Sequence, residues 1–118
     1  MLEMLRSTAD FQQMQGQSQS RAHPMLLVRY RRNGLDRTRY GISTGRRIGG
    51  AVIRNRVRRR LRTILRKLSE RVTPGWDVLL VARMPSTAAS QAELEAVLTR
   101  LMTSAGVLAA APQEIGAT

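Results

Sequence analysis

The sequence predicts a two-layer sandwich of the α+β or α/β class, in which helices pack on a small mixed central sheet. Three observations predict this class. Residues 51–71 carry apolar side chains at helical spacing, residues 25–32 and 39–44 have strand-like composition, and residues 76–83 contain a continuous apolar run. The resulting order is helix, strand, strand, long helix, strand, helix.

A short helix is predicted at residues 7–15. Ser7 can cap its first turn, and Phe11 and Met14 form an apolar pair three residues apart. The glutamine- and serine-rich residues 16–21 that follow are predicted as a polar loop.

Turn-forming pairs separate the later elements. Asn33 and Gly34 predict a turn after the first strand, and Pro74 and Gly75 predict another before the third strand. Residues 78–81 are apolar on both alternations, which is typical of a central strand covered on both faces.

The long helix predicted at residues 51–71 is amphipathic. At about 100° per residue its apolar side chains form one stripe that faces a core, comprising Ile53, Val57, Leu61, Ile64, Leu65, Leu68 and Val72. The opposite side is a narrow polar sector comprising Asn55, Arg59, Arg62 and Arg66. Like charges four residues apart repel, and cations near a helix N-terminus oppose its dipole. The arginine cluster is therefore interpreted as functional rather than stabilising.

A second long helix is predicted from the capping box of Ser90 and Glu93, and Gly106 can end it. Its apolar face comprises Leu94, Val97, Leu98, Leu101 and Ala105. The chain is predicted to be a single RNA-binding domain, residues 1–118, with an ordered core at about 5–107 and a flexible tail at 108–118.

Positive charge is concentrated in the middle of the chain. Of 20 Lys and Arg residues, 17 lie within residues 21–71, where Asp36 and Glu70 are the only acids, so this stretch has a formal charge of +15. Such a potential is typical of proteins that bind a polyanion, because contacts with phosphates release condensed counterions. A nucleic acid is the predicted partner, and a merely soluble basic surface is the alternative.

Amino-acid composition also indicates the cellular compartment of the protein. The chain has no Cys, which excludes disulfides, zinc–thiolate sites and thiol nucleophiles. No apolar run is longer than the five residues of 78–82, which is too short to span a bilayer, and the first residues lack the layout of a signal peptide. We expect a cytoplasmic protein with no membrane partner.

Groups for catalysis are scarce. Asp36, Glu70 and Asp77 lack metal-ligand spacing, and the one histidine, His23, has no evident partner. We therefore expect no catalytic residue and no metal ligand. The four aromatic residues are too few to stack a row of bases, so recognition of phosphates and RNA shape is expected. Two of them, Tyr40 and Trp76, are expected in the core.

Three sequence motifs together resemble the protein component of bacterial ribonuclease P. They are Tyr-Gly-Ile-Ser at residues 40–43, Arg-Arg-Ile-Gly at 46–49, and the basic stretch 51–62, which contains the Arg-Asn-Arg "RNR" motif of that family at 54–56. The resemblance implies an RNA-binding cofactor of an RNA enzyme. In that family the RNA subunit removes the 5′ leader of precursor tRNA by metal-dependent hydrolysis, and the protein binds both the RNA subunit and the leader.

The resemblance also implies site residues. The RNR helix and the segment before it would bind the catalytic RNA through Arg46, Arg47, Arg54, Asn55, Arg56, Arg58, Arg59, Arg62 and Arg66. A cleft between the first helix and the sheet would hold the leader, with Phe11 and with Arg29 or Tyr30. The family usually has a second aromatic where this chain has Gln15, and often has one at the position of Arg29. The resemblance further implies a left-handed βαβ crossover around the RNR helix, against the usual right-handed rule.

The expected partners are thus a catalytic RNA and precursor tRNA, with no DNA. Mg²⁺, held mainly by the RNA subunit, is the expected metal, and no organic cofactor is expected. A general RNA-binding or ribosomal protein and a protein-only nuclease are the alternatives.

Overall fold

The computed structural model describes residues 2–109, which form three α-helices and one four-stranded sheet. The helices are α1 (Thr8–Gly16), α2 (Ala51–Leu68) and α3 (Gln91–Ser104), and the strands are β1 (Gln19–Ala22), β2 (Leu26–Arg32), β3 (Arg39–Thr44) and β4 (Trp76–Ala82). The predicted class, helices on a small mixed sheet, is confirmed.

The strand order in the sheet is β1-β2-β4-β3, so β4 is a central strand. It pairs antiparallel with β2 and parallel with β3. Because β3 and β4 are parallel neighbours joined through α2, they form the predicted βαβ crossover. The handedness of that crossover stays a prediction. Gly34, with φ of +72°, does turn the chain after β2, but β2 and β3 are not neighbours because β4 lies between them.

The polar loop predicted at residues 16–21 is wrong in its second half, where β1 forms the edge of the sheet. All four residues of β1 are exposed, and they pair antiparallel with β2. An exposed polar edge strand carries no apolar alternation, so the pattern gave no signal. His23 shapes the turn into β2, because its Nδ1 accepts from the Met25 amide at 3.1 Å and its own amide donates to the Leu26 carbonyl at 2.8 Å.

The main core lies between the sheet and the helices α2 and α3. On α2 the buried side chains are Val57, Leu61, Ile64, Leu65 and Leu68, which confirms most of the predicted stripe. The exceptions are the two ends of the predicted stripe: Ile53 has 43% of its surface exposed, and Val72 is half-buried and lies beyond α2, which ends at Leu68 rather than at the predicted residue 71. The first turn of α2 lies beyond the buried part of the helix, and there Ile53 lies against Gly49 rather than against the sheet. Tyr40 is buried as predicted, whereas Trp76 is only half-buried.

The helix α1 covers part of the other face of the sheet. A smaller cluster of Leu5, Met14 and Leu79 is buried there, with Phe11 and Val81 packed against it. Val78 and Leu80 belong to the main core instead, which explains why β4 is apolar on both alternations. The predicted caps are also present: Ser7 Oγ accepts from the Asp10 amide at 3.0 Å, and Ser90 and Glu93 form the capping box of α3.

Both ends of the described chain pack beyond the predicted core boundaries of 5 and 107. The amide of Tyr40 donates to the Glu3 carbonyl at 2.8 Å, so the N-terminal segment lies along the edge of β3. Leu108 is 4% exposed and pairs with Val72, because the chain returns over the end of α2. The remainder of the predicted tail, 110–118, lies outside the described residues. Across residues 2–109 no helix has the length and apolarity needed to cross a membrane.

The two faces of α2 should respond differently to truncation. We expect Leu61→Ala or Leu65→Ala to lower the free energy of unfolding by about 2–5 kcal/mol, because each leaves a cavity in the core. Arg59→Ala, on the exposed face of the same helix, is the matched control and should change stability by no more than about 0.5 kcal/mol. Denaturant unfolding measures both, and wild-type stability in Leu61→Ala would contradict the assignment of faces.

Candidate nucleic-acid interface

The outer face of α2 presents the polar sector that the helical wheel predicted. Of that sector, Asn55, Arg59 and Arg66 are exposed and Arg62 is half-exposed, and Arg56, which the predicted sector did not include, is exposed beside it. Arg46 and Arg47 are exposed in the short 3₁₀ turn (Arg46–Ile48) that precedes α2. We call these seven residues the α2 outer face.

The cations of the α2 outer face have no acidic partner within residues 2–109. On the same helix Lys67 does have one, since its Nζ lies 2.9 Å from Glu95 Oε2. The first turn of α2 has no acidic residue, and Gly50 at its N-cap contributes no side-chain hydrogen bond. The positive end of the helix dipole therefore adds to the arginine charge, and this combination favours a polyanion.

Two other predicted RNA-binding arginines are partly buried. Arg58 donates through Nη2 to Thr44 Oγ1 at 2.7 Å and through Nη1 to Asn55 Oδ1 at 3.0 Å. It therefore ties α2 to the end of β3 and orients Asn55. The Nε of Arg54 is buried and has no hydrogen-bond partner among the described residues.

Arg60 has a structural role that sequence reasoning missed. Its guanidinium donates to the Ala89 carbonyl and, at 3.0 Å, to Gln91 Oε1, and the Gln91 amide donates back to the Arg60 carbonyl at 3.2 Å. Burial and the neighbouring charge of Arg56 lower the pKa of Arg60. Arg60 thus joins α2 to the start of α3. Its position beside the apolar stripe of the wheel is the signal that could have identified it.

The structure separates the residues predicted to hold a leader. Arg29 pairs in register with Leu79, which belongs to the cluster under α1, so Arg29 lies on the same face of the sheet as Phe11. Tyr30 is one residue further and therefore lies on the opposite face, 2% exposed within the main core. The prediction that Tyr30 lies in a cleft with Phe11 is wrong for this reason.

Phe11 is half-buried and packs closely on the sheet. A Cβ added to Gly41 would lie 3.1 Å from Phe11 Cε1 and 3.0 Å from Leu79 Cδ1, so the absence of a side chain at Gly41 lets the ring approach β3. Phe11 thus anchors α1 to the sheet while the residue as a whole stays partly exposed.

This α1-side face of the sheet continues into a groove of about 560 Å³ at the ends of β3 and β4. Ser43 and Val81 line it together with Arg46, Arg47 and Arg83. The groove therefore connects the sheet surface to the start of the α2 outer face. Arg83 was not singled out from the sequence, where it is an isolated basic residue at the end of a strand.

Asp77 is a buried carboxylate at the other end of the α1-side face, where β4 begins. Asp77 is 1% exposed and accepts from Arg39 at 2.9 and 2.8 Å and from Asn33 Nδ2 at 3.0 Å. Arg39 Nη2 also lies 3.5 Å from Asp10 Oδ1 on α1. Burial by itself would raise the pKa of Asp77, but the hydrogen bonds from Arg39 and Asn33 and the charges of Arg39 and Arg31 hold it below its usual value.

Comparison with known proteins shows the family. Residues 2–106 match the family model described as Ribonuclease P. The chain belongs to the ribonuclease P protein family. The ribonuclease P protein component of Roseiflexus castenholzii is 35% identical over 111 residues, covering 93% of this chain and 91% of that relative. The corresponding protein of Clostridioides difficile is 30% identical over 99 residues, covering 83% and 87%.

Solved structures of ribonuclease P proteins share the fold. The protein from Staphylococcus aureus matches with a TM-score of 0.83 at 25% identity, covering 92% of this chain and 99% of that one. The protein from Thermotoga maritima matches with a TM-score of 0.76 at 27% identity, covering 84% and 94%. The Arg-Asn-Arg sequence at residues 54–56 lies in the first turns of α2, at the start of the exposed arginine face.

The Asp77 cluster predicts a defined dependence of stability on pH. We expect Asp77→Asn to lower the free energy of unfolding at pH 7 by about 3 kcal/mol, because Arg39 loses a buried partner. The folded-state pKa of Asp77 is depressed, so its contribution is present above the unfolded pKa of about 3.9 and is lost as pH falls through the folded value. Denaturant unfolding is measured at pH 7 and at pH 3. The difference in free energy of unfolding between wild type and Asp77→Asn should be smaller at pH 3.

The exposed Asp36 provides the control for this experiment. Asp36→Asn removes an acid whose side chain is 96% exposed, and it should leave stability unchanged at both pH values. An Asp77→Asn effect of equal size at pH 7 and pH 3 would show that the Asp77 charge does not stabilise the fold.

Proposed function

We propose that this chain is the protein subunit of a ribonuclease P ribonucleoprotein, in which it binds the catalytic RNA and the 5′ leader of precursor tRNA. The α2 outer face would bind the catalytic RNA, together with Arg54 and Arg58, and the α1-side face would bind the leader through Phe11 and Arg29. The observation that carries the proposal is the row of cations on α2 that has no acidic partner among residues 2–109, in a chain of this family. Such a row costs stability unless a polyanion covers it.

The chemistry would belong to the RNA subunit. Asp77, the one buried carboxylate of the described residues, is fully engaged by Arg39 and Asn33. No three His, Cys, Asp or Glu residues within 2–109 come together as a metal site. These residues do not fit a bound metal, so we propose that the RNA holds the Mg²⁺ and that the protein positions RNA. We further propose a cytoplasmic complex that needs no organic cofactor and has neither DNA nor a membrane as partner. The cysteine-free composition is consistent with the reducing conditions of the cytoplasm.

Reconstitution tests the proposal against a general RNA-binding protein and against a protein-only nuclease. Leader cleavage from precursor tRNA is measured at low Mg²⁺ with the RNA subunit alone, the protein alone, and both. We expect efficient cleavage only with both. Turnover by the protein alone would support a protein-only nuclease. If the protein does not change the rate of leader cleavage by the RNA subunit, the result would support a different RNA partner.

Substitutions on the α2 outer face should weaken catalytic-RNA binding and leave the fold intact. We expect Arg59→Ala and Arg62→Ala each to reduce affinity for the RNA subunit. If each side chain contacts one phosphate, the slope of log K against log salt should fall by roughly 0.7–0.9 per substitution. Filter binding across a salt series measures both quantities.

Two other arginines separate binding from stability in that experiment. Arg100→Ala removes an exposed charge on α3, which is not part of the α2 outer face, and should leave affinity and slope near wild type. Arg60→Ala should lower the melting temperature, because it removes the contacts with Ala89 and Gln91. Unchanged affinity and salt slope in both Arg59→Ala and Arg62→Ala would locate the RNA on another face.

Phe11→Leu tests the leader surface. It keeps an apolar side chain on α1 but removes the aromatic ring, and a base–aromatic contact is worth about 1–3 kcal/mol. We expect the holoenzyme with this variant to bind mature tRNA normally and to lose about five- to 150-fold in affinity for precursor with a leader of several nucleotides. Equal losses for precursor and mature tRNA, or a large fall in melting temperature, would leave Phe11 as an anchor of α1 only.

A further inference from the structure

Arg58 connects the sheet to the outer surface of α2. Its Nη2 donates to Thr44 Oγ1 at 2.7 Å, and its Nη1 donates to Asn55 Oδ1 at 3.0 Å. Thr44 is the last residue of β3 and is 8% exposed, whereas Asn55 is exposed on α2. One guanidinium therefore joins a buried hydroxyl to a side chain of the α2 outer face.

The Thr44 hydroxyl is a well-fixed acceptor for Arg58. Side chains alternate along a strand, so Thr44 lies on the same face of β3 as Tyr40, which belongs to the main core. Its backbone pairs in register with Ala82 of β4, and a β-branched side chain has few χ1 rotamers. The guanidinium presents its donors in a rigid planar fork, so the position of the hydroxyl also determines where Nη1 meets Asn55.

The hydrogen bond from Arg58 sets the orientation of the Asn55 amide. A guanidinium has only hydrogens to donate, so the Asn55 atom that faces it must be the oxygen. The amide nitrogen, with its two donors, is then the branch that is left for a ligand. An exposed asparagine without this restraint would exchange between rotamers and could present either group.

An asparagine oriented in this way suits a phosphate oxygen, which only accepts hydrogen bonds. Recognition of adenine by asparagine instead uses the amide nitrogen and oxygen together, and here the oxygen already faces a cation. Arg59 is exposed one helical turn after Asn55, and residues four apart on a helix are neighbours on its surface. The two side chains can therefore donate to the same phosphate.

We propose that Arg58 is a positioning residue, which fixes Asn55 so that its amide nitrogen donates to a phosphate of the catalytic RNA beside Arg59. This inference rests on the proposed function and defines the part of Arg58 in it, which is exerted through Asn55. A side chain that is already oriented loses less conformational entropy on binding. Thr44, although buried, thereby becomes a determinant of RNA affinity.

Two substitutions of Asn55 identify the group that contacts RNA. Affinity of the full-length protein for the RNA subunit is measured by filter binding. We expect Asn55→Ala to weaken binding about ten- to 150-fold, because a hydrogen bond to a charged group is lost. Asn55→Asp keeps an oxygen toward Arg58 but replaces the donors with a charge that repels phosphate, so it should bind more weakly still. Tighter binding by Asn55→Asp than by Asn55→Ala would overturn the proposal, because the oxygen would then be the group that contacts RNA.

A double-mutant cycle tests whether Arg58 acts through Asn55. Arg58→Met keeps an unbranched side chain and removes every donor. We expect it to weaken RNA binding about two- to tenfold more in the wild-type background than in the Asn55→Ala background, where no amide remains to be positioned. The loss of one positive charge is common to both backgrounds and cancels. Equal losses in the two backgrounds would overturn the proposal.

Arg100→Met is the matched control for the lost charge, since Arg100 is exposed on α3. It should change affinity by the same small factor in the two backgrounds.

NMR of the Asn55 side-chain amide provides a readout that needs no RNA. In the free protein we expect ordered amide signals in wild type and in Arg100→Met, and mobile, averaged signals in Arg58→Met. Thr44→Val changes no charge and is the second variant should Arg58→Met fail to fold, and it should loosen Asn55 in the same way. Thr44→Ser keeps the hydroxyl and should retain the wild-type order. Asn55 signals as ordered in the Arg58→Met and Thr44→Val variants as in wild type would overturn the proposal.

Arg59→Ala separates failure of this inference from failure of the proposed function. If Arg59→Ala and Asn55→Ala both bind the RNA subunit as wild type does, the α2 outer face is not the RNA-binding face, and the two fail together. If Arg59→Ala weakens binding while the cycle of Arg58 and Asn55 shows no coupling, this inference fails alone.

Discussion

The packing of α2 on the sheet is the interaction on which the rest of the structure depends. Its buried aliphatic side chains supply the centre of the main core, at about 1.5–3 kcal/mol for each fully buried side chain. Repulsion between neighbouring arginines costs only a few tenths of a kcal/mol per pair. The free energy gained by burying these side chains therefore exceeds the cost of repulsion between the arginines. The helix is stabilised by its packing on the sheet, with the arginines of the α2 outer face toward solvent. The packing that stabilises the fold is thus also what orients the charged surface.

Strand β4 connects the main core to the α1 side of the sheet, because its side chains point alternately to the two faces. Val78 and Leu80 meet the main core, whereas Leu79 supports Phe11 and Asp77 engages Arg39, which in turn reaches Asp10 on α1. A buried ion pair is a weak source of net stability but a strict requirement on geometry, because either partner left alone is costly. The position of α1 is consequently fixed by packing at Leu79 and by charge at Asp77. One strand sets both proposed RNA-binding surfaces.

The sequence predicted the elements whose patterns are strong and local. The three helices and three of the four strands follow from apolar periodicity, together with the helix caps at Ser7 and Ser90 and the turn at Gly34. What failed depends on neighbours that a local pattern cannot show. The edge strand β1 is polar, and the choice between Arg29 and Tyr30 hinged on one residue, which in a strand reverses the face. Likewise, that Arg60 binds α3 while Arg59 stays exposed depends on where α3 packs, and periodicity does not encode that.

Two groups of arginines differ in what they contact. Arg39, Arg58 and Arg60 are hydrogen-bonded to groups within the fold and connect its elements. Those of the α2 outer face have no acidic partner in residues 2–109, and the formal charge of +12 makes the compact state repel itself. In the proposed complex, RNA phosphates would relieve that repulsion and would bind the folded surface, so RNA binding and folding would be linked by mass action. The charge that weakens the isolated protein is therefore the same charge to which the proposal assigns RNA binding.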